Sequence, residues 1–179
     1  MTIERIIRIG VGTTLCTFLF AACSFSQDKK NLSDAEVAFV AVTANQIDID
    51  YAEIAKNKST DQEVIKFAAT MERDHKAVIA QAAALAKKLG VTPVNNDLSR
   101  SLLSDAENTK KNLNAKSGKA FDIAYINNEV AYHKAVIAAV EGVLIPDTDN
   151  AELKQLLQNV VPALKAHLTH AEMLQKNYK

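Results

Sequence analysis

Apolar residues recur at helical spacing through almost the whole chain beyond residue 33, and few residues interrupt them. The 179 residues include only 5 Gly and 3 Pro, and 48% are hydrophobic. Apolar positions three and four apart predict amphipathic helices, and no stretch alternates as a half-buried strand does. Long helices are predicted over residues 33–58, 60–89, 119–144 and 149–178. The chain is therefore expected to be all-α.

Capping signals mark three of the predicted helix starts. They are the pairs Ser33-x-x-Glu36, Thr60-x-x-Glu63 and Asp149-x-x-Glu152. In such a capping box, the first side chain and the acid three residues later satisfy helix amides that have no partner within the helix. Gly90 and Pro146 mark two of the predicted ends, because neither residue continues a helix easily.

The connections between these helices differ in length. Short links at residues 58–61 and 145–150 predict two antiparallel hairpins, and a weaker helix over 97–114 lies in the long link between them. A long crossover of this kind joins the two hairpins in ferritin-like proteins. We expect a ferritin-like four-helix bundle over residues 33–179, with the helical crossover between its second and third helices.

The N-terminal segment has the pattern of an export signal. Arg5 and Arg8 precede an apolar run over residues 11–22 that is too short to span a bilayer, and Cys23 follows two alanines. The pattern predicts a signal peptide over residues 1–22. Its end resembles a bacterial lipobox, which implies lipidation of Cys23, although Phe20 replaces the usual aliphatic residue. The alternative is cleavage near Ser26, which gives a soluble periplasmic protein.

Residues 23–32 are short and polar and are interpreted as a tether from the membrane to the domain. Ser24, rather than Asp, after the lipidated cysteine favours the outer membrane, facing the periplasm, in a Gram-negative host. Cys16 lies in the removed segment, so the mature chain keeps only Cys23 and forms no internal disulfide. The membrane is the expected partner, through this lipid. Protein partners are not indicated, and a homo-oligomer stays open.

Charge and motifs exclude several classes of function. The 21 basic and 21 acidic side chains give zero net charge, which removes the positive footprint of a nucleic-acid-binding protein. The sequence has no Gly-rich phosphate loop, no G-x-S-x-G elbow and no C-x-x-C pair. The common nucleotide-binding, hydrolase and thiol-redox classes are therefore disfavoured.

Ionisable residues interrupt the apolar face of every long helix near its middle. At 100° per residue, the inward positions include Asp48, His75, Glu129, His133 and His167. An unpaired polar group in a core costs several kcal/mol, so these side chains must pair with one another or hold a ligand. One hypothesis is a transition-metal site, with Zn, Cu or Fe as the cofactor, because imidazole and carboxylate suit these metals. A second set is predicted to surround it: Glu72, Asp74, Asp122 and His170.

Two other interpretations of the same residues stay open. They can form a buried hydrogen-bonded network that fixes helix register without any ligand. Alternatively, Glu72-x-x-His75 has the spacing used by di-iron carboxylate bundles. That pattern is incomplete, because the fourth helix carries Leu164 where a second Glu would precede His167.

Several motifs resemble a bacterial family catalogued as domain of unknown function 4142. They are Ser-Gly-x-x-Phe-Asp-x-x-Tyr at residues 117–125, Asp74-His75 after a Met, and Pro162 five residues before His167. The resemblance covers about residues 34–175 and implies an exported, helical, ferritin-like protein without an established activity. By position, it implies that the family's recurring polar residues are Asp48, Asp74, His75, Asp122, His133 and His167. It does not extend to Glu72, Glu129 or His170.

Three functions therefore compete. The first is a structural or interaction role in the cell envelope, in which the bundle presents surfaces to partners; this is the default, and the sequence names no partner. The second is a metal-binding bundle that uses the inward histidines and acids. The third is a di-iron type redox enzyme, which is disfavoured because the ligand set is incomplete. An enzymatic activity is not indicated by the sequence.

Overall fold

The computed structural model describes residues 32–178, and this part of the chain is helical with no strand. It contains five long helices: α1 (Asp34–Lys58), α2 (Gln62–Leu89), α3 (Asp97–Asn114), α4 (Gly118–Ala139) and α5 (Ala151–Lys176). The all-α prediction is confirmed. The predicted signal peptide, the lipidation site Cys23 and nearly all of the tether lie outside the described residues.

The third predicted long helix is not uniform. After α4, the chain forms a π-helical turn over Val140–Leu144 and a short helical turn over Ile145–Asp147. Pro146 has no N–H to donate, so the regular α-helical bonding pattern cannot continue through it, and a wider turn precedes it. Thr148 closes the segment, because its Oγ1 donates a 2.5 Å hydrogen bond to the backbone oxygen of Leu144.

The helix caps agree with the prediction at one start and differ at two. Ser33 forms the predicted capping box. However, α2 is capped by Asp61 rather than Thr60, and α5 by Asn150 rather than Asp149, so these two predictions were wrong. In both cases, the side chain one position later accepts the amide two residues ahead. Two adjacent residues can each cap, and the turn geometry selects between them.

The two hairpins account for most of the contact between helices. α1 packs along α2, and α4 packs along α5. The hairpins meet where α2 contacts α5 and where α1 contacts α4, while α3 packs against α1 and α4. The helical segment 97–114 therefore lies in the long link, as predicted. None of the helices within residues 32–178 is long and apolar enough to cross a membrane.

The apolar core has two parts that lie one above the other along the helices. One part includes Phe67, Met71 and Tyr125, and the other includes Val40 and Leu157. Burying each of these side chains stabilises the fold by about 1.5–3 kcal/mol. On each of α1, α2, α4 and α5, the inward ionisable residue lies at the junction between the two parts.

The second half of α2 departs from the predicted core. The apolar periodicity predicts that Val78, Ala82, Leu85 and Leu89 are buried. The buried residues of α2 end at His75, and these four side chains are only half-buried. This prediction was wrong because no described helix covers that face of α2 completely.

Candidate metal centre

Three histidines from three different helices converge in the interior. His75 on α2, His133 on α4 and His167 on α5 each present one ring nitrogen, and these atoms lie within 4.8 Å of one another. The ring centroids are 5.4 to 5.7 Å apart. Residue exposure is 4% for His75, 0% for His133 and 8% for His167. The cluster is therefore nearly isolated from solvent.

The second nitrogen of each ring lies against an acceptor. His75 Nδ1 lies 2.7 Å from Asn45 Oδ1, and His133 Nδ1 lies 3.0 Å from the backbone oxygen of Glu129. His167 Nε2 lies 3.0 Å from Asp74 Oδ2. Because a carbonyl or carboxylate oxygen accepts, the ring nitrogen in each pair donates and carries the proton. The tautomer and orientation of each ring are therefore fixed.

The amide of Asn45 is itself held in place. Its Nδ2 donates a 2.7 Å hydrogen bond to the backbone oxygen of Ala41, one turn earlier on α1. This bond turns Oδ1 toward His75. The sequence analysis did not identify Asn45, although its position three residues before Asp48 places both side chains on the same face of α1.

The nitrogens that face one another have free lone pairs. His75 Nε2, His133 Nε2 and His167 Nδ1 have no hydrogen-bond partner among residues 32–178. Burial lowers the pKa of His75 to about 3 and that of His133 to about 4, and it also lowers the pKa of His167. All three imidazoles are therefore neutral near pH 7, the state that binds metal ions.

Asp48 approaches the same point from α1. Its Oδ2 lies 3.4 Å from His75 Nε2 and 3.6 Å from His133 Nε2. Ligand bonds of about 2.0–2.1 Å in a tetrahedral site give edges of about 3.3–3.4 Å, so these separations fit two ligand edges closely. Burial raises the pKa of the Asp48 carboxyl to about 8. A bound cation reverses this effect, because it favours the ionised carboxylate.

Glu129 lies on the other side of the His133 ring. Its Oε2 is 3.6 Å from His133 Nδ1, and Asp48, Glu129 and His133 form a second group whose ligand atoms lie within 4.8 Å of one another. Neither carboxyl oxygen of Glu129 accepts a hydrogen bond in the described part of the chain. Burial, and then the neighbouring Asp48, raise the pKa of Glu129 well above its ordinary value.

The four residues predicted to surround the cluster have different positions. Asp74 binds His167 and is also paired with Arg73. The other three lie away from the converging nitrogens. Asp122 accepts a 2.6 Å hydrogen bond from Ser59 Oγ, Glu72 pairs with Lys56 and Lys76, and His170 packs edge-on against Phe67 at 5.1 Å.

Four of the five predicted ligands thus meet at one point, namely Asp48, His75, His133 and His167, while Glu129 lies on the other side of His133. One of the four predicted surrounding residues, Asp74, contacts this group. The donor set is three neutral imidazoles and one or two carboxyl groups. Each buried acceptor without a hydrogen bond lowers the stability of the fold by about 1–3 kcal/mol unless a ligand satisfies it. The residues present therefore fit a transition-metal ion.

The sequence of the chain matches a known family over most of its length. The family described as "Domain of unknown function (DUF4142)" matches residues 21–174. The chain belongs to this family. The family assignment made from the motifs at residues 74–75, 117–125 and 162–167 is therefore confirmed for this DUF4142 chain. No curated protein is significantly similar to it in sequence.

Two solved structures share the fold of the DUF4142 chain. CopM in its Cu(II)-bound form is 17% identical, with a TM-score of 0.64, covering 83% of this chain and 99% of CopM. A Streptomyces coelicolor protein of the DUF305 family, described as secreted, is 14% identical, with a TM-score of 0.66, covering 80% of this chain and 93% of that protein. At these identities, the likeness concerns the fold.

Proposed function

We propose that the domain binds one transition-metal ion in its core. The ligands are His75 Nε2, His133 Nε2 and His167 Nδ1, and the Asp48 carboxylate is the fourth donor. One observation carries the proposal: three unpaired imidazole nitrogens converge, while the second nitrogen of each ring is already held by Asn45, the Glu129 backbone or Asp74. This is how proteins orient histidine ligands around metals.

A network without a ligand explains the same atoms less well. In the neutral rings, all three converging nitrogens are acceptors, and acceptors cannot satisfy one another. The proton that burial keeps on Asp48 can serve only one of the three. A single cation satisfies all of them together and also stabilises the ionised form of Asp48.

The donor set limits which metal ions the site should prefer. Imidazole with one carboxylate suits Zn(II) and Cu(II) better than Mg(II) or Ca(II), which prefer oxygen. The Irving–Williams order places Cu(II) above Zn(II) in affinity for such a site. That CopM shares this fold, and has been solved in its Cu(II)-bound form, supports the choice of Cu(II). The di-iron alternative is not favoured, because Glu72 pairs with lysines rather than with the histidines.

The proposal includes the setting of the domain. We propose that α1, α2, α4 and α5 form a four-helix bundle of the ferritin-like type, with α3 as the crossover. The chain is exported by residues 1–22, and a lipid on Cys23 holds it in the cell envelope, facing the periplasm. In this setting, the domain sequesters or carries the metal ion. A structural or interaction role would need protein partners, and no residue in the described part of the chain identifies one.

Metal content and metal-dependent stability test the proposal. The untagged chain from residue 27 onward is purified without chelator, analysed for elements and melted with and without Zn(II) or Cu(II). Three proteins are compared: the natural sequence, a His75→Ala, His133→Ala double variant, and a His170→Ala control. His170 is a matched control because it is the fourth histidine of the sequence and lies away from the converging nitrogens.

We expect about one metal ion per natural or His170→Ala chain and a raised Tm for both with the added ion. The double variant should hold no metal and show no rise in Tm. A natural protein that stays metal-free and melts unchanged with both ions would overturn the proposal and leave the buried network as the explanation.

A further inference from the structure

A cavity of about 390 Å³ extends from the histidine cluster toward the C-terminal end of α2. Its walls come from α1, α2, α4 and α5, with part of α3, and most of its lining is aliphatic. Side chains that line it away from the histidines include Val78, Leu85, Val136, Leu157, Val160 and Leu164. The size falls within the range of small-molecule sites, about 300–1,000 Å³.

The second half of α2 explains why this space is open. Beyond His75, its apolar side chains line the cavity but remain half-buried. The other helices therefore do not close over them, and an apolar surface that folding normally buries is left for a ligand.

The shape of the cavity suits a single unbranched chain. Its lining runs over residues 75–89 of α2 and residues 153–167 of α5, which is about 21 Å at 1.5 Å per residue. A cavity of about 390 Å³ whose lining extends over that length is elongated, which suits a flexible chain better than a compact ring system. An extended chain covers about 3.5 Å in three bonds, so about 18 bonds span the cavity.

The charge of the lining selects the head group. Among the described residues that line the cavity there is no Lys and no Arg, whereas four acidic residues are among them: Asp34, Asp48, Asp74 and Asp105. A carboxylate or phosphate head would therefore find no Lys or Arg partner in the lining, and it would meet like charge at Asp34 and Asp105. An uncharged head group avoids this cost.

We propose that this cavity binds a single-chain aliphatic molecule with an uncharged head group, such as a long-chain alcohol. The chain lies along the half-buried face of α2 and packs against α4 and α5. This binding depends only on the cavity and does not require the metal ion. Experiments can therefore disprove the aliphatic-ligand proposal and the metal-binding proposal separately.

Dodecanol and dodecanoate are suitable probes, because they share one chain length and differ in head-group charge. Both are titrated against the chelator-treated chain from residue 27 onward by displacement of a fluorescent alkyl probe. Ala82→Phe on α2 and Ala139→Phe on α4 put a ring into the cavity from two sides. Ala84→Phe is the matched control, because Ala84 is exposed on α2 and does not line the cavity.

We expect dodecanol to bind more tightly than dodecanoate. Each cavity-filling variant should bind dodecanol at least about tenfold more weakly, since the ring displaces two or more methylene groups. Ala84→Phe should bind as the natural protein does. Circular dichroism melting identifies which of the two filling variants is folded, and either one suffices.

Three results would overturn the proposal. The first is that the filled variants and the control bind dodecanol equally well, and the second is that dodecanoate binds more tightly than dodecanol. The third is that the natural protein does not bind dodecanol and that light scattering shows it to be a dimer, which Ala82→Phe separates. The last result would mean that a second copy of the chain covers α2. The elemental analysis of protein purified without chelator, described above, reports on the metal site independently.

Discussion

Asn45 Oδ1 accepts a 2.7 Å hydrogen bond from His75 Nδ1, and this contact links α1 to α2 directly behind the converging nitrogens. The bond decides which nitrogen of His75 carries the proton and which one faces the cluster. Asn45 is held in turn by the backbone of α1. Asn45, an uncharged residue one turn from Asp48, thus orients the imidazole of His75 on another helix so that its unprotonated nitrogen faces the cluster.

Asn45→Ala should weaken metal binding about 10–100-fold, because the ring of His75 loses the acceptor that orients it. Competition against a metal indicator measures the affinity of Zn(II) or Cu(II). Gln46→Ala is the control, because Gln46 is exposed and its amide binds Asp50 on the surface. Equal affinities in the two variants would show that the bond to Asn45 does not position a ligand.

Asp48→Asn should change how the stability of the metal-free protein depends on pH. The pKa of Asp48 is raised from 3.8 to about 8 in the folded state, so between these values the folded protein keeps a proton that the unfolded chain loses. The stability that this proton contributes is complete below pH 3.8 and is lost as pH rises toward 8.

Between pH 5 and 7, the natural protein should therefore lose about 1.4 kcal/mol of unfolding free energy per pH unit relative to Asp48→Asn. Urea unfolding of both proteins with chelator at pH 5, 6 and 7 measures the difference. A difference that stays constant over this range would contradict the prediction. Saturating metal should abolish the slope, because the bound ion keeps the carboxylate ionised in the folded state.

Ser59→Ala should destabilise the fold by about 1–3 kcal/mol, because it leaves a buried carboxyl oxygen without its donor. Ser59 Oγ donates a 2.6 Å hydrogen bond to Asp122 Oδ1, and both residues are buried. Urea unfolding measures the loss. Ser104→Ala, at an exposed position on α3, should change the stability by less than about 0.5 kcal/mol. Similar losses in the two variants would contradict a special role for the buried pair.

Tyr178→Phe should raise the pKa of Asp61 toward its ordinary value. The Tyr178 hydroxyl donates a 2.7 Å hydrogen bond to Asp61 Oδ2, and this bond is the main cause of the lowered pKa of that carboxyl. Carboxyl carbon shifts measured by NMR across an acid titration report the pKa directly. An unchanged pKa would show that the bond does not persist in solution.

The same bond should stabilise the protein by about 1 kcal/mol near neutral pH, a modest value because the pair is partly exposed. A lowered folded-state pKa means that this stabilisation is present above the ordinary pKa of Asp61 and is lost as pH falls through the lowered value. Natural and Tyr178→Phe proteins should therefore unfold at different urea concentrations at pH 7 and at nearly the same concentration in strong acid.

The sequence by itself determined the helices and the inward faces of the five candidate ligands. Residues on one helix face recur at 100° steps, so Asp48, His75 and His167 could be placed on apolar faces without any tertiary information. The same argument placed His167 inside the apolar face of α5 and His170, three residues later, at its edge. Only the packing of α2 against α5 turned His167 toward the cluster and left His170 against Phe67.

Tertiary structure also decided whether a neighbouring helix covers the apolar face of a helix, which the periodicity of the sequence does not show. Val78 and Leu85 follow the helical pattern as well as Met71 does, yet they remain half-buried beside a cavity while Met71 is fully buried. Likewise, the bond from His75 to Asn45 depends on the axial register of α1 against α2. Local periodicity follows from the covalent chain and was readable in the sequence, whereas coverage and register follow from how separate helices pack and were decided only in the folded molecule.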